Sequence, residues 1–311
     1  MIENSRKVLI TGVSGFLGRY TAQYFSDQGW SVIGVDSVPP ENAPLSALSA
    51  YYSIKLPDKA FNELLLKHSP SVCIHSAGRA SVPMSVSDPV SDYYANTVLT
   101  FEVLDALRLY APTCRFILLS SAAVYGNPRA LPISEAESAS PISPYGFHKL
   151  QCEQLCIEYS TVYGLKTASV RIFSAYGPGL RRQVLWDICR KVILDKSLTL
   201  QGSGNESRDF IHARDVACAL SLIVNKSPME GNIYNLSNGI EVTIRELAAM
   251  VLDALDSDCL PCFDGIVPVG NPLNWQADIS KLNELGFTPS VPLQHGVKAF
   301  ANWCRAELVG I

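Results

Sequence analysis

The chain has 311 residues, 48% hydrophobic and 17% charged, enough to bury a large core and to hold a nucleotide-binding domain beside a smaller lobe. Its net charge of −4 offers no general surface for a polyanion, so nucleic acid is excluded as an expected partner. No uninterrupted apolar run reaches the length of a membrane span, and the first strand starts within a few residues of Met1, leaving no room for a secretory leader; the expected compartment is the cytoplasm and no membrane contact is expected.

The first predicted unit is residues 8–18, VLITGVSGFLG, an apolar β-branched run that ends at Thr11 and is followed by Gly12, Gly15 and Gly18. A buried strand, a glycine turn and a helix in that order let backbone N–H groups approach a pyrophosphate at the positive end of the helix dipole. Phe16, Leu17, Tyr20 and Phe25 supply the apolar helical face. The alternative is that the glycines serve only close packing of strand on helix. The second strand, 31–36, ends in Asp36, about 20 residues beyond the glycines, where a carboxylate accepts hydrogen bonds from the adenosine ribose. No Lys or Arg follows Asp36 before Lys55 to meet a 2′-phosphate, so the expected cofactor is NAD.

Further along, VCIHSAG at 72–78 reads as a strand, 90–110 as an amphipathic helix and RFILLSS at 115–121 as another strand. Pro128, Pro132, Pro141 and Pro144 mark a long loop. Residues 146–163 then read as helix and 165–173 as strand. Such βα repetition predicts an α/β fold, a doubly wound Rossmann-type parallel sheet with a smaller C-terminal α/β substrate-binding lobe. Beyond Gly177 the rhythm loosens, with helical patterns at 183–194, 213–224 and 243–255. The predicted division is a cofactor domain over 1–176, with segments near 208–236 returning to it, and a substrate lobe mainly over 177–311. Cys259 and Cys262 form a lone CxxC, and Cys152 and Cys156 sit at helical spacing; neither pair completes a four-ligand site, so free thiols and no metal are expected.

Tyr145 and Lys149 are four apart on the predicted helix, which brings their side chains to one face. A phenol, titrating near pH 10, is a poor base at neutral pH, but a nearby ammonium favours its ionised form and lets it take an alcohol proton. Ser121 closes a buried strand at its carboxyl end, where open α/β sheets place their ligand crevice. By spacing alone, a Tyr and Lys pair is more often a surface pair.

These segments resemble the extended short-chain dehydrogenase/reductases, and within them the NAD-dependent nucleotide-sugar epimerases and dehydratases. The resemblance rests on TGVSGFLG at 11–18, HSAG at 75–78, VPMS at 82–85, Asn96, SSAAVYG at 120–126, SPYGFHK at 143–149, RIFSAYGPG at 171–179 and SRDFIH at 207–212, and covers essentially the whole chain. It implies a catalytic set of Ser121, Tyr145 and Lys149, with Tyr145 and Lys149 also on the cofactor. Gly12, Gly15, Phe16, Leu17, Gly18, Asp36, Ala77, Gly78 and Asn96 fall in its cofactor-side segments. Ser85, Ser121, Ser174 and Arg208 fall on its substrate side, with Arg208 on the diphosphate; the alternative for Arg208 is an ion pair with Asp209 or Asp215. His75, ending a buried strand, reads as a structural group.

The departures bear on the reaction. Sugar-nucleotide 4,6-dehydratases carry Asp and Glu where this chain has Ala122 and Ala123, and alanine can neither protonate a leaving hydroxyl nor remove a proton. Ala123 also argues against decarboxylation of a uronate. Ser174 stands where many relatives have Asn, and PVGNP at 268–272 replaces an Arg-bearing segment, a loss that Arg181 or Arg182 could offset. YSIKLP at 52–57 lacks the usual Asp. The leading expectation is an NAD-dependent epimerase acting at C4 of a UDP-linked hexose, hexosamine or uronic acid. The alternatives are a 4-keto nucleotide-sugar reductase, which would consume NADH, and a non-catalytic NAD-binding regulator. A homodimer through 90–110 and 146–163 is implied by the resemblance.

Overall fold

The structure, a computed structural model, describes residues 6–43, 45–266 and 270–310; Pro268 and Val269 of the PVGNP segment lie outside them. Short β-branched and aliphatic runs form β1 (Lys7–Thr11), β2 (Ser31–Asp36), β3 (Ala50–Ser53), β4 (Val72–His75), β5 (Arg115–Ser121) and β6 (Thr167–Ile172). Later strands are β7 (Ser174–Tyr176), β8 (Leu198–Leu200), β9 (Ser207–Arg208), β10 (Phe210–His212), β11 (Glu230–Leu236), β12 (Val242–Thr243) and β13 (Pro261–Phe263). The helices are α1 (Phe16–Asp27), α2 (Ala60–His68), α3 (Val82–Ser87), α4 (Pro89–Tyr93), α5 (Leu99–Tyr110), α6 (Pro144–Tyr163), α7 (Gln183–Arg190), α8 (Ala213–Lys226), α9 (Ile244–Ala254), α10 (Ser280–Asn283) and α11 (Leu293–Val309).

Seven strands pair in the order β11-β6-β5-β4-β1-β2-β3, and every pairing is parallel. The chain leaves β1 toward β2 on one side and returns to β4 on the other, so a crevice opens between them at the carboxyl ends. Thr11, Asp36, His75 and Ser121 all end strands at that edge. Alternation along β1 feeds both faces: Val8 and Ile10 join a core with Ala22 and Phe25 of α1 and Leu220 and Ile223 of α8, while Leu9 packs with Leu64 of α2, Leu104 of α5 and Cys152 and Cys156 of α6. A separate apolar cluster joins Leu185 and Ile188 of α7 to Leu247 and Val251 of α9 and Phe300 of α11. The nine cysteines are all unpaired. Among the described residues no helix is long and apolar enough to cross a membrane.

Two helices differ from their predicted spans. The helix that carries Tyr145 and Lys149 starts at Pro144 rather than Gly146, because Pro needs no amide partner at a first helical position and the Ser143 hydroxyl caps the Gly146 amide. The stretch predicted as one helix over 90–110 begins at Pro89, where Asp88 caps the Ser91 amide, and is interrupted by a π-turn at Tyr94–Val98. There the Asn96 side-chain amide donates to the Asp92 carbonyl at 3.1 Å, the acceptor that the Asn96 backbone N–H would use in an α-helix, and the Leu99 N–H reaches back to Tyr94.

Candidate active site

The glycine turn is built for a close backbone approach. Gly12 has φ +66°, and a Cβ there would lie 2.6 Å from the Ala77 nitrogen; a Cβ on Gly18 would lie 2.2 Å from the Gly12 carbonyl oxygen. Gly15 opens α1 with no side-chain cap and no acid in the first turn, so the amides of Phe16, Leu17 and Gly18 are open to an anion. Asp36 sits against this turn, its Oδ2 accepting from the Ser14 amide at 2.9 Å and its Oδ1 from Ser37 at 2.7 Å. The Ser14 hydroxyl and the Asn96 carboxamide oxygen are buried without partners among the described residues. Gly78 faces the latter, a Cβ there falling 2.7 Å from Asn96 Oδ1. This cradle, with free helix amides, a ribose-side carboxylate and two unsatisfied polar atoms, fits a dinucleotide. Sequence reading missed one cation here: Arg19 reaches from α1 to the Ser14 and Asn42 carbonyls at 2.8 and 2.9 Å.

The proposed chemistry lies where α6 crosses the end of β5. Lys149 is buried and its ammonium donates to the carbonyl of Leu119, two residues before Ser121, at 3.1 Å. Tyr145 packs with Ala122, Ala123, Val124 and Trp275. The Ser121 hydroxyl accepts from the Ala123 amide at 3.2 Å. The Ala123 carbonyl in turn abuts the start of α6, since a Cβ at Gly146 would lie 2.5 Å from it. Ser85 is fully buried; it donates to the Val82 carbonyl at 2.8 Å and accepts the Tyr145 amide at 3.1 Å, so its hydrogen is already committed within the protein. His75 Nδ1 is 2.8 Å from the Thr11 hydroxyl, and burial, with the charge of Lys149 second, lowers its pKa to about 3. It is therefore neutral at working pH.

Ser174 is half-buried on β7, its amide donating to the Asp209 carbonyl at 3.0 Å. Arg208 lies next to it, donating to the carbonyls of Ser207 and Leu273 at 2.7 and 3.1 Å, with its guanidinium 5.4 Å from the Trp275 ring centre. The ion pairs weighed for it do not form: Asp209 accepts from the amides of Asn238, Gly239 and Ala277, and Asp215 from Ser290 and Val291. Burial pulls the Arg208 pKa down to about 10, with Glu206 opposing. Such a desolvated guanidinium, with no carboxylate paired to it among the described residues, suits an anionic ligand. Arg181 is instead engaged by Glu307 at 2.6 Å, whereas Arg182 crosses to the Ala80 carbonyl at 2.9 Å. Gly270 lies against Val82 and Ser143, with a Cβ at Gly270 falling 2.9 and 3.2 Å from them.

A buried network beneath Ser121 was not legible in the sequence. Glu153 of α6 accepts from Arg171 of β6, with Nη2 to Oε2 at 2.7 Å, and from the Ser120 hydroxyl at 2.5 Å. Arg171 also lies 4.7 Å from the Tyr125 ring centre.

The family described as NAD dependent epimerase/dehydratase matches residues 8–237. Among curated proteins, a putative UDP-glucose 4-epimerase of Methanocaldococcus jannaschii is 28% identical over 303 residues, covering 96% of this chain and 98% of its own. A CDP-paratose 2-epimerase of Salmonella typhi is 27% identical over 340 residues, with 96% and 98% covered. Among solved structures, the UDP-glucose 4-epimerase of Thermus thermophilus in complex with NAD superposes with a TM-score of 0.87 at 28% identity, over 96% of this chain and 99% of that one.

Proposed function

Because the chain belongs to the NAD dependent epimerase/dehydratase family and is an NAD-dependent enzyme of the extended short-chain dehydrogenase/reductase type, we propose that it inverts C4 of a UDP-linked hexose, hexosamine or uronic acid through a transient 4-keto sugar. The observations that support this reading are that Lys149 reaches the Leu119 carbonyl of β5 and that Tyr145 packs with Ala122 and Ala123, the two residues after Ser121, alanines that can perform no dehydration chemistry. Bound NAD supplies a hydride acceptor and then a donor. Tyr145 takes the C4 hydroxyl proton and returns it on reversal. Lys149 places a buried ammonium one helical turn from Tyr145, and Ser121 orients the hydroxyl. Arg208 binds the diphosphate, away from the reacting carbon, so the sugar can turn over without leaving. On this reading, residues 1–176 with β11 carry the cofactor and most of 177–311 the substrate. The unpaired cysteines suit a reducing compartment, and we place the protein in the cytoplasm.

The test is to incubate the NAD-loaded protein with UDP-glucose, UDP-N-acetylglucosamine and UDP-glucuronic acid and follow the sugar by NMR and mass spectrometry. The expected product keeps the parent mass and has inverted C4, with no net consumption of NADH. Loss of water, or one NADH oxidised per product, would sink the proposal.

Arg208→Ala should weaken binding of the accepted UDP-sugar by roughly ten- to a hundred-fold, the equivalent of about 1.5–3 kcal/mol for a charge-assisted contact, with a smaller effect on NAD. Calorimetry with the UDP-sugar checks it; an unchanged dissociation constant would remove Arg208 from the site.

The proposal includes a homodimer. Val90, Tyr93, Tyr94 and Phe101 on the α4–α5 segment and Phe147, Val162 and Tyr163 on α6 are exposed, an apolar face suited to a second copy. Sedimentation equilibrium should report twice the chain mass, and a monomer at micromolar concentration would argue against it.

A further inference from the structure

Between Tyr145 and Lys149 on α6 stands His148, a residue with no part in the chemistry above. Its Nδ1 lies 2.6 Å from Oδ2 of Asp92 on α4. Asp92 is completely buried, and its other carboxylate oxygen has no partner among the described residues. A buried carboxylate is costly without a hydrogen-bonded partner, and His148 supplies the side-chain contact. The ring of Tyr93 stacks edge-on against the imidazole at 5.4 Å.

Asp92 is also joined to the cofactor side. Its backbone carbonyl holds the Asn96 amide at 3.1 Å, and Asn96 Oδ1 faces Gly78. The 82–98 segment therefore grips the first turns of α6 at several points: the Ser85 hydroxyl on the Tyr145 amide at 3.1 Å, Asp92 on His148, and the Thr97 hydroxyl on Gln151 at 3.0 Å. Tyr145, His148 and Lys149 span little more than one helical turn, so a displacement at His148 is carried to both neighbours.

We infer that Asp92 and His148 are positioning residues for the reaction: the pair sets the rotation of the Tyr145–Lys149 turn against the wall formed by Gly78 and Asn96. The inference rests on the roles proposed for Tyr145 and Lys149. A misplacement of about 1 Å at a reacting centre can cost about a hundred-fold in rate, so the loss of one of several supports should cost about ten-fold.

The experiment compares His148→Ala, His148→Asn and Tyr145→Phe in the NAD-loaded full-length protein. Turnover of UDP-glucose, UDP-N-acetylglucosamine and UDP-glucuronic acid is measured together with hydrogen exchange of the peptide covering 144–151. His148→Ala should lower kcat about ten-fold with KM within about two-fold, and should speed exchange in that peptide but not in α9 or α11. His148→Asn should restore most of both, because its amide N–H can still donate to Asp92. Native kcat and exchange in the alanine variant, equal impairment of both variants, or a raised KM at native kcat would each overturn the inference. Should His148→Ala fail to fold, the similarly sized Asp92→Leu, which cannot accept from His148, takes its place with the same kcat loss expected, and native kcat there overturns the pair. If Tyr145→Phe retains native turnover, the proposed function falls instead, and the exchange data alone judge whether the pair orders α6.

Discussion

Replacing Tyr145 with Phe should cut turnover of the accepted UDP-sugar by about a hundred-fold or more while the protein stays folded and NAD-loaded. The substitution removes one oxygen from a residue that is 8% exposed and leaves the ring in its cluster with Ala122, Val124 and Trp275. The contact that holds this part of α6 to Ser85 uses the backbone amide, so it survives. Ser121 and Lys149 remain, but on the proposed mechanism neither can stand in: Ser121 would only position the hydroxyl, and Lys149 has its ammonium against the Leu119 carbonyl. The expected pattern is a fall in kcat with little change in substrate affinity, the signature of an interaction made in the transition state. Initial rates, with melting temperature and bound NAD as controls, decide it. Near-native turnover in the folded variant would show that the proton is taken elsewhere.

The largest effect on stability should come from Glu153→Ala. Glu153 is completely buried and Arg171 nearly so, with three guanidinium contacts between 2.7 and 3.2 Å. Removing one partner strands the other charge, since among the described residues Arg171 Nη1 already has no acceptor and its charged group otherwise lies against the Tyr125 ring. Such losses typically cost about 3–5 kcal/mol, because the desolvation of the remaining ion is no longer offset. For a chain of this size that is roughly 5–10 °C in melting temperature. Turnover should fall as well, because Glu153 also holds the hydroxyl of Ser120 beside Ser121. The double replacement Glu153→Leu with Arg171→Met should recover much of the stability by removing both charges. A loss below about 1 kcal/mol for the single variant would mean that water reaches the pair.

The parts of the fold that sequence reading found are those written in local chemistry. Gly12 takes a positive φ within a strand–turn–helix segment, Asp36 follows at the end of the next strand, and Tyr145 and Lys149 share one helix at a spacing that aligns them. Each of these depends on residues close in sequence, so periodicity and turn chemistry suffice. The helix start at Pro144 and the π-turn at Tyr94–Val98 escaped because they hinge on single side-chain hydrogen bonds, Ser143 to Gly146 and Asn96 to Asp92, which periodicity does not record.

The sequence by itself determined the parallel α/β sheet, the glycine turn for a dinucleotide and the absence of an acid or base at Ala122 and Ala123, since composition, alternation and side-chain chemistry are properties of the chain before it folds. Only the tertiary structure decided that Arg208 is paired with carbonyls rather than with Asp209 or Asp215, that Arg181 is tied to Glu307, that Arg19 enters the Ser14–Asn42 corner, and that Asp92 and Glu153 clamp α6 through His148 and Arg171. Those pairings join residues between 5 and 126 positions apart, and the sequence lists many candidate partners for each charge. Which partner wins depends on burial and on which groups the packed sheet brings within hydrogen-bond reach.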